Sequence, residues 1–173
     1  TRVSLLPEHI TTLKKWNVEV LVETSAGIAA LAADEKYIGA GALIKSRNEV
    51  LQNSNLLLTI NSPEKPEIIN LNKKILLGIF QPLINTRVMQ DFGLTVFSMD
   101  RLPRTTRAQR MDVLSSQANI AGYKAVLLAA NLFPKYFPMF MTAAGSIPPA
   151  KLLILGAGVA GLQAIATGRR LGA

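Results

Sequence analysis

The stretch that decides the fold is Lys151-Leu-Leu-Ile-Leu-Gly156-Ala-Gly158-Val-Ala-Gly161. The apolar residues ahead of Gly156 predict a strand, and the residues from Val159 through Gln163 to Leu171 predict a helix. A bare G-x-G-x-x-G says little. Between a strand and a helix it is what a dinucleotide-binding turn requires. Gly156 is expected to permit the tight turn, Gly158 to let the backbone approach a pyrophosphate, and Gly161 to let helix and strand pack closely. The helix start at Val159 would offer free N–H groups and positive partial charge to the phosphates. The uncharged run Leu152–Gly168 has a competing reading as a membrane helix. It is at the short limit for a span and holds four tightly spaced glycines, which a strand-turn-helix explains better. The acid that binds the adenosine ribose is expected about 20 residues further on. That lies beyond Ala173, so this second domain is expected to be truncated and the chain a fragment of a longer one.

Working back from the glycine loop, helical segments alternate with short apolar runs. Helices are predicted over Pro7–Trp16, from an N-cap at Asp34, over Arg47–Gln52, and over the long stretch Asp112–Phe133, stopped by Pro134 and Pro138. Strands are predicted at Val18–Val22, Ala42–Ile44, Leu56–Ile60, Ile75–Phe80 and, after Gly93, Leu94–Phe97. Continuous apolar runs separated by helices mark buried parallel strands with crossover helices. The fold class is therefore α/β. The expected architecture is two Rossmann-like doubly wound domains around a cleft, joined by the long helix. The first domain is placed at residues 1–133 and the start of the second at 148–173, with a proline-containing linker Gly145–Ala150 ahead of it.

Composition narrows the chemistry. Of 173 residues, 49% are hydrophobic and 17% charged, which is globular rather than disordered. The absence of cysteine excludes disulfides and thiolate metal sites, and a single histidine, His9, excludes a His-pair metal site. The formal charge of +8 invites a nucleic-acid reading, but the basic residues are scattered and only Arg101, Arg104, Arg107 and Arg110 form a local series. No RNA-recognition motif or zinc-finger spacing accompanies them, so no nucleic-acid partner is expected.

The remaining polar information sits just before the long helix. Arg104, Gln109, Asp112 and Ser115 offer donors and acceptors for a carboxamide and a ribose together, with Tyr123 further along the helix. Each has a plainer reading. Thr106-x-x-Gln109 matches a capping box, Asp112 suits a helix N-terminus electrostatically, and Ser115 and Tyr123 fit an ordinary helix surface.

Met99-Asp-Arg-Leu-Pro-Arg104, Asn119-Ile-Ala-Gly-Tyr-Lys124, Thr142-Ala-Ala-Gly-Ser-Ile-Pro-Pro-Ala-Lys151 and Leu155-Gly-Ala-Gly-Val-Ala-Gly-Leu162 together resemble the NAD(H)-binding domain of proton-translocating NAD(P) transhydrogenase, in the alanine dehydrogenase/transhydrogenase superfamily. The resemblance covers nearly the whole chain, and the opening Arg2-Val-Ser-Leu-Leu-Pro-Glu8 shares it, with the family's first strand missing. It implies that Arg104, Gln109, Asp112 and Ser115 contact the nicotinamide and its ribose, that Gln109 also reaches toward the partner nucleotide, and that Tyr123 lies nearby. Gly156, Gly158, Val159 and Gly161 match the pyrophosphate loop. It implies NAD(H) bound here and NADP(H) on a partner domain, with Gln109, Arg104 and Asp112 serving direct hydride transfer. It further implies a membrane domain as partner, a homodimer, and a soluble location at the cytoplasmic face of a bacterial inner membrane or the matrix face of a mitochondrial one. A fragment of this extent is expected to be inactive alone.

Alanine dehydrogenases share the fold but carry a lysine within the third strand and a histidine near the end of the next, to hold and deprotonate an amino acid. At those places this chain has Thr59 and the turn Phe80-Gln81-Pro82, and His9 lies in the first helix; transhydrogenases often keep that lysine, so Thr59 departs from both patterns. The resemblance therefore favours the transhydrogenase over an alanine dehydrogenase-like oxidoreductase or a non-catalytic NAD(H)-binding module.

Overall fold

The computed structural model describes residues 2–64, 66, 67, 71, 73–85 and 94–173. Gly93, placed ahead of the third long apolar run, lies outside the described residues. The chain divides into two compact units, Thr1–Arg104 and Thr105–Ala173.

In the first unit, helix α1 (Pro7–Lys15) opens on proline, carries Glu8 in its first turn and Lys14 and Lys15 in its last. Those charges complement the helix dipole, and the proline wastes no hydrogen bond at that position. Strands β1 (Leu21–Glu23) and β2 (Leu43–Lys45) pair in parallel, with Val22 opposite Ile44, and helix α2 (Asp34–Ala40) connects them. Their core is Ile10, Val20, Val22, Ala32, Tyr37 and Ala42. Tyr37 is fully buried and its hydroxyl donates to the Leu5 carbonyl at 2.8 Å, so the polar tip is satisfied where the ring is dry. Asp34 does not cap α2 as expected: Ala33 holds the N-cap position. The Asp34 carboxylate instead accepts the Ser25 N–H at 2.9 and 3.1 Å, which closes the loop after β1.

A second parallel sheet has the order β3 (Leu56–Leu58), β4 (Ile75–Gly78), β5 (Thr95–Ser98). Leu51, Leu57, Leu71, Leu76 and Phe80 form its core. Helix α3 (Arg47–Asn53) enters through a capping box of Ser46 and Glu49. At its far end the Lys74 ammonium donates to the carbonyls of Leu51, Gln52 and Ser54 at 2.5, 2.6 and 2.8 Å, and burial pushes that amine below its usual pKa. Parallel pairing throughout this unit's described strands is the α/β arrangement that the apolar runs predict.

The second unit contains helix α4 (Val113–Leu132), a hairpin of β6 (Phe140–Thr142) and β7 (Gly145–Ile147), and helix α5 (Val159–Arg170). Val126, Phe137 and Ala164 form its core, with Phe133 and Phe137 edge to face at 5.9 Å. Helix α4 packs on α5, and both lie in the compact unit Thr105–Ala173. The stretch expected as a plain linker contains β7, because the chain reverses at Ala143–Ala144. The Thr142 hydroxyl secures that reversal, donating to the Gly145 carbonyl and accepting from the Ala144 N–H, both at 3.2 Å. The strand expected before Gly156 belongs to no ladder among the described residues. A strand exists only by pairing, and Leu153 and Leu155 stand 83% and 89% exposed.

Candidate dinucleotide site

The glycine loop joins residues 151–155 to α5 through a turn that only glycine accommodates well. Gly156 sits at φ +104°, a conformation an L side chain rarely adopts. Gly161 is required for a different reason. A Cβ there would stand 2.0 Å from the Gly156 carbonyl oxygen, so the first turn of α5 lies directly on the loop. Gly158 is the N-cap of α5, and at neither it nor Gly156 would a Cβ meet a heavy atom within 4 Å beyond the adjoining residues. The loop therefore leaves open space in front of a 12-residue helix whose first turn holds no acidic residue and no side-chain cap. Exposed Val159 begins that helix. Free N–H groups, dipole and room together fit a pyrophosphate.

Ahead of α4 the chain makes a 3-10 turn, Ala108–Met111. Residues three apart eclipse in a 3-10 helix, which gives this turn three distinct faces. Buried Ala108 points inward, Arg107 and Arg110 share an exposed cationic face, and Gln109 occupies the third, also exposed. The predicted Thr106–Gln109 capping box is replaced by Thr105. Its carbonyl accepts the Gln109 N–H at 3.1 Å and its hydroxyl lies 3.4 Å from the Ala108 N–H. The Gln109 side chain is thereby left for something other than capping.

Asp112 and Ser115 are brought together at the start of α4. One Asp112 oxygen accepts the Ser115 N–H at 2.9 Å, and the other accepts the Ser115 hydroxyl at 2.6 Å. Asp112 is thus the N-cap of α4, the plainer of its sequence readings, and the same bonds hold both side chains in one orientation. Tyr123 is 45% exposed. Its neighbour Gly122 meets α5, where a Cβ would be 2.1 Å from the Ala160 carbonyl oxygen.

Three polar residues on these helices had been given no role from sequence. The Asn119 amide donates to Gln163 Oε1 at 3.2 Å, Gln163 Nε2 donates to the Thr167 hydroxyl at 3.2 Å, and that hydroxyl donates to the Gln163 carbonyl at 2.8 Å. The available signal was Gly122 itself. A glycine inside a predicted helix costs helix stability and marks a close approach.

Arg104 is exposed and ends the first unit. In that unit Asp100 takes the Phe80 N–H at 3.2 Å and a short hydrogen bond from the Ser98 hydroxyl, which anchors the chain ahead of Arg104 to the end of β4. Burial raises the Asp100 pKa, but the Ser98 and backbone hydrogen bonds outweigh it and hold the carboxyl below its usual value. The Thr59 hydroxyl is buried and has no hydrogen-bond partner among the described residues. His9 is exposed on α1, 3.9 Å from Glu8. Among the described residues no acidic or histidine cluster suits a metal, and no helix is long and apolar enough to cross a membrane.

This geometry has close counterparts. The chain is 41% identical over 177 residues to NAD(P) transhydrogenase subunit alpha of Cereibacter sphaeroides, a match covering 99% of this chain and 34% of that protein. The crystal structure of transhydrogenase from Sinorhizobium meliloti superposes with a TM-score of 0.93 at 44% identity, covering 99% of this chain and 53% of that one. Alanine dehydrogenase of Bilophila wadsworthia is more distant, 23% identical over 99% of this chain and 47% of its own length. The chain thus spans about a third to a half of the proteins it matches. Residues 1–121 match the family model "Alanine dehydrogenase/PNT, N-terminal domain" and residues 125–173 match "Alanine dehydrogenase/PNT, C-terminal domain". With both models matched in order along the chain, the chain belongs to the alanine dehydrogenase/PNT family.

Proposed function

We propose that this chain is the NAD(H)-binding part of a proton-translocating transhydrogenase, passing hydride from NADH directly to NADP+ held on a separate domain. The pyrophosphate lies on Gly156, Gly158, Val159 and Gly161, and the nicotinamide and its ribose meet Arg104, Gln109, Asp112, Ser115 and Tyr123. The domain division follows the sequence reading, residues 1–133 and 148–173. The whole protein works as a homodimer joined to an NADP(H)-binding domain and a membrane domain, at the cytoplasmic face of a bacterial inner membrane or the mitochondrial matrix face.

The observation that carries the reading is the exposed Gln109 side chain. It makes no hydrogen bond among the described residues, yet it sits on a turn fixed by Thr105 on one side and by the Asp112–Ser115 cap on the other. Hydride transfer between two nicotinamide rings needs no acid or base from the donor site. It needs two rings held close and aligned with water excluded, which asks for rigidly mounted polar contacts. The 41% identity to a transhydrogenase subunit, against 23% to an alanine dehydrogenase, supports the same choice. Thr59, whose buried hydroxyl stands where an amino-acid substrate would call for a lysine, departs from both patterns and matters little to a reaction that binds no amino acid.

Gln109→Asn tests the reading. It withdraws the amide by one methylene without changing its chemistry. Hydride transfer should slow far more than NADH binding weakens, because alignment is lost while most contacts remain. Equal losses in both would defeat the positioning role.

A further inference from the structure

Asp112, Ser115, Asn119, Gly122 and Val126 recur at helical spacing and form one stripe along α4. The stripe begins with the Asp112–Ser115 pair, continues to the Asn119 amide, then to the Gly122 contact with Ala160, and ends in the core at Val126. Facing it, α5 presents Ala160, Gln163, Ala164 and Thr167, starting one residue after Val159. The Gly122–Ala160 contact sets how closely the helices approach, but two small residues do not resist sliding.

The amides supply what that contact lacks. Thr167 is 4% exposed, and its single hydroxyl hydrogen goes to the Gln163 carbonyl at 2.8 Å. That hydroxyl is left to accept only, so Gln163 must turn its NH2 toward Thr167 and its oxygen toward α4. Asn119 must then donate, as it does at 3.2 Å. A buried hydroxyl thus dictates the polarity of two amides and ties one turn of α4 to one turn of α5.

We propose that Asn119 and Gln163 are positioning residues that set the register between the start of α4 and the start of α5. They thereby let the two ends of one dinucleotide be held at once. This rests on the proposed NADH site. The nicotinamide-end residues Asp112 and Ser115 lie one to two turns before Asn119, and the pyrophosphate loop lies one turn before Gln163. Neither amide touches the ligand. Their contribution is to the coupling between the ends, so it is present for NADH and absent for a ligand that reaches only the glycine loop.

The test compares NADH with ADP by calorimetric titration on the full-length protein. Asn119→Leu and Gln163→Leu should leave ADP affinity within about twofold and lower the NADH-to-ADP affinity ratio by roughly three- to tenfold, the equivalent of one lost hydrogen bond. Their double variant should lose no more than either alone. Gln163→Glu keeps an oxygen for Asn119 and lets the Thr167 hydroxyl turn to donate, so it should keep the ratio even where its charge lowers both affinities. An equal loss for both ligands would show a merely structural role, and unchanged affinities for both would show none; either overturns the proposal. A wild-type protein that binds NADH no better than ADP would instead overturn the site assignment beneath it.

Discussion

Gly158→Ala and Gly161→Ala differ by one methyl group each, three residues apart, and the structure assigns them opposite consequences. At Gly161 the new Cβ would stand 2.0 Å from the Gly156 carbonyl oxygen and 2.9 Å from its carbon. The nearer distance is roughly 1.5 Å short of van der Waals contact, and because both atoms are backbone no side chain can swing away. Overpacking of this kind costs about 1–3 kcal/mol, while alanine regains about 1 kcal/mol of helix propensity. The balance is a net loss of up to about 2 kcal/mol, and a 2.0 Å contact with a backbone oxygen puts it near that upper value, a fall in melting temperature of roughly 4–8 °C for a chain this size. At Gly158 the new Cβ meets nothing within 4 Å and φ is an ordinary −74°, so stability should change by less than about 0.5 kcal/mol. The space it fills is the space assigned to the pyrophosphate, and NADH affinity should fall at least about tenfold, or 1.4 kcal/mol. Thermal melting and fluorescence titration with NADH separate the two effects. A Gly158→Ala protein with full NADH affinity would refute the phosphate placement. A Gly161→Ala protein that melts with wild type would refute the packing argument.

Other consequences are simpler to state. Arg104→Ala should weaken NADH binding without lowering stability, since Arg104 is exposed; an unchanged NADH dissociation constant would count against its assignment to the nicotinamide end. Ser115→Ala removes the hydroxyl donated to Asp112 at 2.6 Å but keeps the backbone cap, and should cost about 0.5–1.5 kcal/mol in denaturant unfolding. The Asp100 carboxyl is held below its usual pKa, so its contribution is complete above the unfolded value of about 3.9 and is lost as pH falls through the lower folded value. The urea midpoint should therefore drop with acidification through that window, and Asp100→Asn should flatten the drop. An identical acid profile in the variant would contradict it.

What sequence could and could not reveal follows from the range of the interactions involved. Apolar runs such as Leu56–Ile60 and Ile75–Phe80 announce buried parallel strands because burial on both faces leaves a composition signature, and β3 and β4 form within them. The glycine loop was legible because its turn and its close packing both demand glycine, and Gly156 and Gly161 meet those demands separately. The apolar run before Gly156 reads equally well as a strand, yet pairing depends on a neighbour that the run itself does not encode. Thr105 rather than Thr106 secures the 3-10 turn, and Asp34 ties back to Ser25 rather than capping α2, because capping depends on backbone angles that neighbouring residues share. The Asn119–Gln163 bond joins residues 44 apart on different helices and leaves no periodic trace. Only the interior glycine at position 122 betrays that contact.

The central claim is direct hydride transfer, and isotopic labelling tests it most directly. The full-length protein would be given NADH carrying deuterium at the transferred position, with NADP+ and a transhydrogenase NADP(H)-binding domain, and in parallel pyruvate with ammonium. The account predicts that deuterium appears on the NADPH nicotinamide without exchange into water, and that pyruvate is not turned over. Deuterium recovered in alanine, or none transferred to NADP+ while NADH is bound tightly, would contradict it.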